Sequence, residues 1–356
     1  MIKFYKFLVG YAKTGLGKEL TLNLKPSNKI LEIKNNLKET TEAKDLINMY
    51  GMPPLTFLPD ITLCLKYLES NNTLSSKALL DIAKTLKLSR ELKNYFFNID
   101  NNSNTYNFEL LPDLFINLYT NLQIESKIFS CIIDENEITD SASSKLSSIR
   151  RNKRKLAQEI KEKLNSIIHS SNYSKYIMEP IVTIRNDRFV IPVKIEYKDN
   201  IKGLAHDISA SGNTIFIEPM SVFELNSKIS NLKIEENIEI ENILKNLSAL
   251  LFPIYSNIGQ NMYLIGKLDF IFAKANYSID IDGNEPIINN EKQIKLIKAK
   301  HPLIDKKICV PIDISLGFDY SSLIITGPNT GGKTVTLKTV RSFNINGKKW
   351  TSHSSK

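Results

Sequence analysis

Cysteine is scarce in this 356-residue chain, with three in all. Cys64, Cys131 and Cys309 are too few and too far apart for a disulfide framework, and none has a histidine at zinc spacing. They read as reduced, buried thiols of a soluble cytoplasmic protein. Glycine and proline are also few, 14 and 13, which disfavours many short strands joined by tight turns and favours long helices. No uninterrupted apolar run reaches membrane-spanning length, and Lys6 breaks the opening apolar stretch with no small-residue cleavage site after it. Neither a membrane span nor a secretory leader is expected. What is present is ordinary globular composition, 42% apolar and 24% charged, which excludes a disordered chain. At about 100–200 residues per domain, the length implies two or three domains.

The net charge is +9, which suggests an anionic partner. Its distribution weakens that inference. Arg341, Lys348, Lys349 and Lys356 supply four charges within the last 16 residues, which hold no acid, leaving a mildly basic +5 elsewhere. Nucleic-acid binding is compatible with that balance but not required by it.

Residues 1–118 are mainly helical in pattern. Leu31, Ile33 and Leu37, then Leu79, Leu80, Ile82, Leu86 and Leu88, recur at helical steps. Met52-Pro53-Pro54 breaks one helix, and residues 98–107 are a loop rich in Asn and Ser. Further on, Leu146, Ile149, Lys153, Leu156, Ile160, Leu164 and Ile167 alternate three- and four-residue steps, the seam of a coiled coil with one polar interruption. Leu225, Ile229, Leu232, Ile240, Ile243, Leu247, Leu251 and Ile254 form a second such stripe. Between the two, residues 181–185, 188–197 and 214–218 alternate as strands, with a hairpin at Asn186-Asp187 and a turn over 210–213. The expected layout is an antiparallel helical arm with a β tip.

The arm's charges admit two readings. Lys145, Arg150, Arg151, Lys153, Arg154, Lys155, Lys161 and Lys163 stand against Glu159 and Glu162, a net +6. The returning stretch sets Glu224, Glu235, Glu236, Glu239 and Glu241 against Lys228 and Lys233, a net −3. These charges either neutralise one another along a solvated coiled coil or leave an excess that touches phosphates, with Arg150, Arg151, Lys153, Arg154 and Lys155 as the candidate contacts.

Short β-branched runs at 294–297, 309–314 and 323–326 suit the start of an α/β sheet. Directly after the last comes Gly327-Pro328-Asn329-Thr330-Gly331-Gly332-Lys333-Thr334, a complete G-x-x-x-x-G-K-T phosphate loop. Its glycines let consecutive N–H groups face a phosphate, and a helix opening near Lys333 adds its dipole. Lys333 reaches the β- and γ-phosphates of ATP, and the Thr334 hydroxyl is offered to Mg²⁺.

From Ile324 to Val340 the sequence resembles the ATPase opening of the MutS superfamily. Thr330 and Val335-Thr336-Leu337-Lys338 point to its type-two bacterial branch. Glu179-Pro180-Ile181-Val182-Thr183-Ile184-Arg185, Ile215-Phe216-Ile217-Glu218-Pro219, Leu268-Asp269-Phe270-Ile271-Phe272-Ala273 and Leu16-Gly17-Lys18-Glu19-Leu20 extend the resemblance over residues 1–340. It implies a mostly α fold: a helical core (1–118 and 259–292), outgoing lever helices (119–179), a small β clamp (180–219) and a returning lever helix (220–258). The incomplete start of an α/β P-loop, ABC-type ATPase follows at 293–340. It also implies a homodimeric, ATP- and Mg²⁺-dependent clamp that suppresses homologous recombination on branched or mismatched DNA, with endonuclease activity, and that splits collided ribosomes. The adenine neighbours it suggests are Ile312 and His301-Pro302, although His301 reads equally well as a satisfied turn histidine. DNA and ribosome stay open as targets.

After Val340 the pattern departs from the family. No acidic Walker B strand, signature loop or nuclease domain follows, so stand-alone hydrolysis is not expected. A non-catalytic binding module or a non-functional frameshifted product is the alternative. Residues 341–356 hold the single Trp350 and few apolar positions, and read as an out-of-frame tail. One choice of codons for them, shifted by one nucleotide, encodes an amphipathic segment resembling the family's next helix.

Overall fold

The structure is a computed structural model that describes residues 2–100, 108–301, 304, 307–327 and 332–347. Helices α1 (Ile2–Tyr11), α2 (Gly15–Leu22), α3 (Ile30–Tyr50), α4 (Thr62–Glu69), α5 (Ser76–Asp100), α6 (Leu111–Ile116) and α7 (Leu122–Cys131) come first. The long α8 (Ser144–Ile168) precedes strands β1 (Thr183–Arg185), β2 (Arg188–Lys194), β3 (Gly203–Ile208) and β4 (Thr214–Pro219). Then follow α9 (Met220–Leu251), α10 (Tyr255–Asp280), β5 (Ile294–Ala299), β6 (Ile312–Leu316) and α11 (Lys333–Gly347). The fold is mostly α with small antiparallel sheets, and no helix among the described residues is long and apolar enough to cross a membrane.

Two compact units divide the chain, one drawn from residues 1–72, 81–126 and 251–356, the other from 73–80 and 127–250. In the first, α10 is the central element, buried on nearly every side. Leu264, Ile265, Leu268, Ile271 and Phe272 pack against Leu46, Leu92 and Phe115. Phe115 stacks on Phe96 at 5.0 Å and meets Phe272 edge-on at 6.3 Å, each pair worth about 0.5–1.5 kcal/mol beyond its buried area. Buried polar groups are matched to backbone. The carboxylate of Glu42 accepts the N–H groups of Glu109, Leu110 and Leu111 at 3.0–3.3 Å, the donors a helix start leaves unpaired. Ile33, Leu37 and the whole 79–88 stripe are buried as expected, whereas Leu31, in the first turn of α3, is 79% exposed. Cys131 is buried, while Cys64 and Cys309 are only half-buried, a correction to the reading of all three as core thiols.

The second unit holds the four-stranded sheet, ordered β1-β2-β4-β3. Asn186 and Asp187 both take positive φ, +46° and +64°, as a two-residue hairpin turn requires. β2 pairs antiparallel with β4, Ile191 opposite Ile217 and Val193 opposite Ile215. β3 was not legible in the sequence: it pairs with β4 through a register shift between Ala205 and Asp207, which breaks the alternation. β2 stops at Lys194 and a 3₁₀ segment, Ile195–Asn200, takes over, so the strand expected over 188–197 is shorter. The Ser143 hydroxyl caps α8 by accepting the Leu146 N–H at 2.9 Å. Ile160 and Leu164 of α8 share one buried cluster with Val222 and Ile229 of α9 and the sheet residues Ile191 and Ile217. The polar position in the seam, Lys153, is half-buried against Glu236.

Residues 323–326 are not a strand. Ile324 is 86% exposed, and no strand among the described residues pairs with this run. An apolar strand of a parallel sheet depends on partners along both edges, and without them its preference for extended backbone has nothing to lock onto. β5 and β6 form a separate antiparallel pair, Ile294 opposite Leu316 and Ala299 opposite Ile312.

Candidate functional site

At the phosphate-loop sequence, the structure places both ends. Gly327 and Gly332 have φ of +139° and +78°, and nothing among the described residues lies within 4 Å of where a Cβ would stand on either. These are backbone conformations for which glycine is suited, and the open space leaves both positions accessible to a phosphate group. Pro328, Asn329, Thr330 and Gly331 lie outside the described residues. α11 begins at Lys333, where Thr336 donates both its N–H (2.9 Å) and its hydroxyl (3.1 Å) to the Gly332 carbonyl. The Lys333 ammonium turns back to donate to the carbonyl of Gly327, the first residue of the motif. Thr334 is exposed in the first helical turn, where a hydroxyl can meet a metal ion carried by a nucleotide. The set fits a triphosphate with its cation: one ammonium, one free hydroxyl, and a helix start with its positive dipole end.

His301 follows β5, and its carbonyl accepts the N–H of Ile304 at 3.0 Å. Its pKa is lowered, first by burial and then by the positive charge of Lys338 on α11. Ile312 opens β6 opposite Ala299, while Pro302 lies outside the described residues. α11 passes through Val340 and continues to Gly347. Phe343, within the stretch read as an out-of-frame tail, is buried. Residues 348–356 lie outside the described chain.

On α8 the five candidate phosphate contacts divide. Arg150 donates Nε to Glu236 (2.7 Å) and Nη1 to Asp140 (2.7 Å) and to the Ile138 carbonyl (2.7 Å). Lys153 donates to the same Glu236. Burial opposes the charge on Glu236, but hydrogen bonds from Lys153 and Arg150 outweigh it and lower its pKa. Arg150 hydrogen-bonds Asp140 and Arg154 adds a contact at 3.1 Å, holding that exposed carboxyl below its usual range. Arg151 and Lys155 are exposed, with no ion pair among the described residues. The neutralising reading of the arm therefore holds for Arg150 and Lys153, and for Lys145, which pairs with Glu239 at 3.2 Å. Asp140 escaped the sequence reading, since a carboxylate ten residues before an arginine carries no periodic signal.

The four-stranded sheet carries a cluster that the sequence did not announce. Glu218 is fully buried and accepts from Arg188 Nη1 (2.9 Å) and Asn226 Nδ2 (2.8 Å), with His206 Nε2 at 2.5 Å. It fastens β2, β3, β4 and α9 together, a structural task for Glu218, which belongs to one of the resemblance motifs.

No family model matches the chain. It is 46% identical over 338 residues to the endonuclease MutS2 of Acetivibrio thermocellus, covering 95% of this chain and 42% of that protein. It is 41% identical over 341 residues to the endonuclease MutS2 of Clostridioides difficile, covering 96% and 43%. With the protein of the same name from Geobacillus sp. the identity is 41% over 333 residues, covering 94% and 42%. The chain thus spans less than half the length of the curated relatives it matches. Across the segment it spans, the chain is a homologue of the MutS2 proteins, a branch of the MutS family.

Proposed function

We propose that the chain carries the core, arm and phosphate loop of a MutS2-type clamp that binds ATP with Mg²⁺ and holds nucleic acid. The observation that carries the nucleotide half is the Lys333 ammonium folded over Gly327, beside an open Gly332 and a free Thr334 hydroxyl. Charge-assisted contacts from Lys333 and the helix start bind the phosphates, and Thr334 holds the cation. Pro328, Asn329, Thr330 and Gly331 complete the loop in this reading, with His301 and Ile312 beside the adenine. Nucleic acid is favoured as partner by the names of the relatives, which are endonucleases, and by the unpaired cations of α8. Homodimerisation, recombination control on branched or mismatched DNA, nuclease action and ribosome splitting are what the resemblance implies for a complete clamp, and we extend them to this chain only as part of one.

A second reading is a binding module that holds nucleotide without turnover. The unpaired, exposed run at 323–326 favours it, because residues that activate water come from strands beside the loop. Purified chain titrated with ATP in the presence of Mg²⁺, followed by assay of phosphate release, separates the two. Phosphate release overturns the module reading. Binding without release is what the module requires and what a clamp segment without turnover of its own also gives, and no binding sinks both nucleotide readings.

A further inference from the structure

Four exposed cations of the second unit share one side of one helix. Arg151, Arg154, Lys155 and Lys161 are all exposed on α8. At about 100° and 1.5 Å per residue, they fall within an arc of about 120° and span about 15 Å of the helix. The buried stripe of Ile149, Ile160 and Leu164 lies on the other side. Arg151, Lys155 and Lys161 have no hydrogen bond or ion pair among the described residues. Arg154 keeps one contact to Asp140 while 68% of its side chain is exposed. The acids nearby are already engaged: Glu159 pairs with Lys163 at 3.0 Å, and Glu162 accepts from Gln158 at 2.8 Å.

The β tip offers no such field. Residues 170–219 hold six basic and six acidic side chains. Arg188 pairs with buried Glu218, Arg185 with Asp207 at 3.4 Å, and Asp187 with Lys233 at 2.5 Å. Lys198 and Lys202 are exposed, have no ion pair among the described residues and are set among an equal number of acids. Its exposed surface includes Ile181, Ile184, Leu204 and Ile208, each about half exposed or more than 40%. A neutral surface releases no condensed counterions, so it gains nothing from lying on phosphate.

We propose that the outer face of α8 is the phosphate-binding surface. Arg151, Arg154, Lys155 and Lys161 lie along the backbone of duplex DNA, and the β tip makes no phosphate contact. The proposal rests on the nucleic-acid reading above and assigns that reading to particular residues. The inward pair Arg150 and Lys153 holds the helix in place and takes no part in binding. Four cations in a row read backbone charge and not base edges, so affinity is indifferent to sequence and strongly dependent on salt. Each phosphate contact contributes about 0.9 to the slope of log affinity against log salt.

The test is fluorescence anisotropy of the full chain on a labelled random-sequence duplex across a salt series. Three proteins are compared: wild type, the outer-face variant R151Q/R154Q/K155Q/K161Q, and the tip variant K198Q/K202Q. The outer-face variant is expected to lose at least about tenfold in affinity and to flatten the slope by about 3–4. The tip variant should stay within about twofold of wild type, with its slope unchanged. Circular dichroism checks that helix content is kept. Should the fourfold variant lose helix, R151Q and K155Q singly carry the test, each flattening the slope by about 0.9. Wild-type binding that survives in the outer-face variant, or a loss confined to the tip variant, overturns the assignment while leaving the nucleic-acid reading standing. Failure of the wild type to bind the duplex at low salt overturns that reading and the assignment with it.

Discussion

Gly17 lies so close beneath Asp269 that a Cβ on the glycine would stand 2.2 Å from Oδ2 of the carboxylate. That carboxylate accepts the Thr14 N–H and hydroxyl, both at 2.7 Å, and the Lys13 N–H at 3.0 Å. The Thr14 hydroxyl in turn accepts the Gly17 N–H at 3.0 Å, which caps α2. Two motifs separated by most of the chain are thus one interlocking contact, and Gly266 repeats the fit against Leu16. Gly17→Ala is expected to cost about 1–3 kcal/mol by overpacking. Asp269→Asn is expected to cost about as much by weakening charge-assisted bonds to buried donors. Urea unfolding of both variants checks this, and a Gly17→Ala midpoint equal to wild type would contradict the packing.

Lys274 on α10 is fully buried, and its ammonium has no hydrogen-bond partner among the described residues. Burial lowers its pKa from 10.5 to about 8, with Glu39 opposing the shift and Lys267 adding to it. The folded pKa lies below the unfolded one, so the unfolded chain binds the extra proton between the two values. Stability therefore rises with pH from about 8 toward 10. Above pH 10 the trend reverses, because Tyr11 and Tyr95, raised to about 12, ionise first in the unfolded chain. Lys274→Met should be more stable than wild type at pH 7 by up to about 3 kcal/mol. The gap should narrow as pH approaches 10, as read by urea melts at each pH.

Glu236 accepts from both Arg150 and Lys153 across α8 and α9. Glu236→Gln is expected to cost about 1–3 kcal/mol at neutral pH. Because the folded pKa of Glu236 is lowered from 4.5, its contribution is complete above that value and is lost as pH falls through the folded one. The difference between wild type and variant should shrink in melts carried out under acid conditions. A gap that persists undiminished would assign the cost to packing instead.

Legibility of the fold followed the range of the interactions involved. Local signals were readable: Asn186-Asp187 marked the hairpin, and Leu146, Ile149, Ile160 and Leu164 marked the inner side of α8. β3 was missed because its bulge and exposed edge position erase the alternation that announces a strand. The run at 323–326 was misread because its composition suits a strand whose partners the described chain does not supply. On α8 the sequence gives the number of cations, but only the positions of Asp140 and Glu236 separate those already engaged from those still free. The phosphate-loop motif was readable because its residues are consecutive, although its middle, 328–331, lies outside the described residues.

Isothermal titration of ATP into the wild type, Lys333→Ala and Thr334→Ala, each with and without Mg²⁺, is the most direct test of the nucleotide site. The account predicts that Lys333→Ala weakens binding by at least about tenfold under both conditions, through loss of a charge-assisted phosphate contact. Thr334→Ala should remove the gain that Mg²⁺ gives the wild type while leaving metal-free affinity intact. Equal affinities for wild type and Lys333→Ala would contradict it.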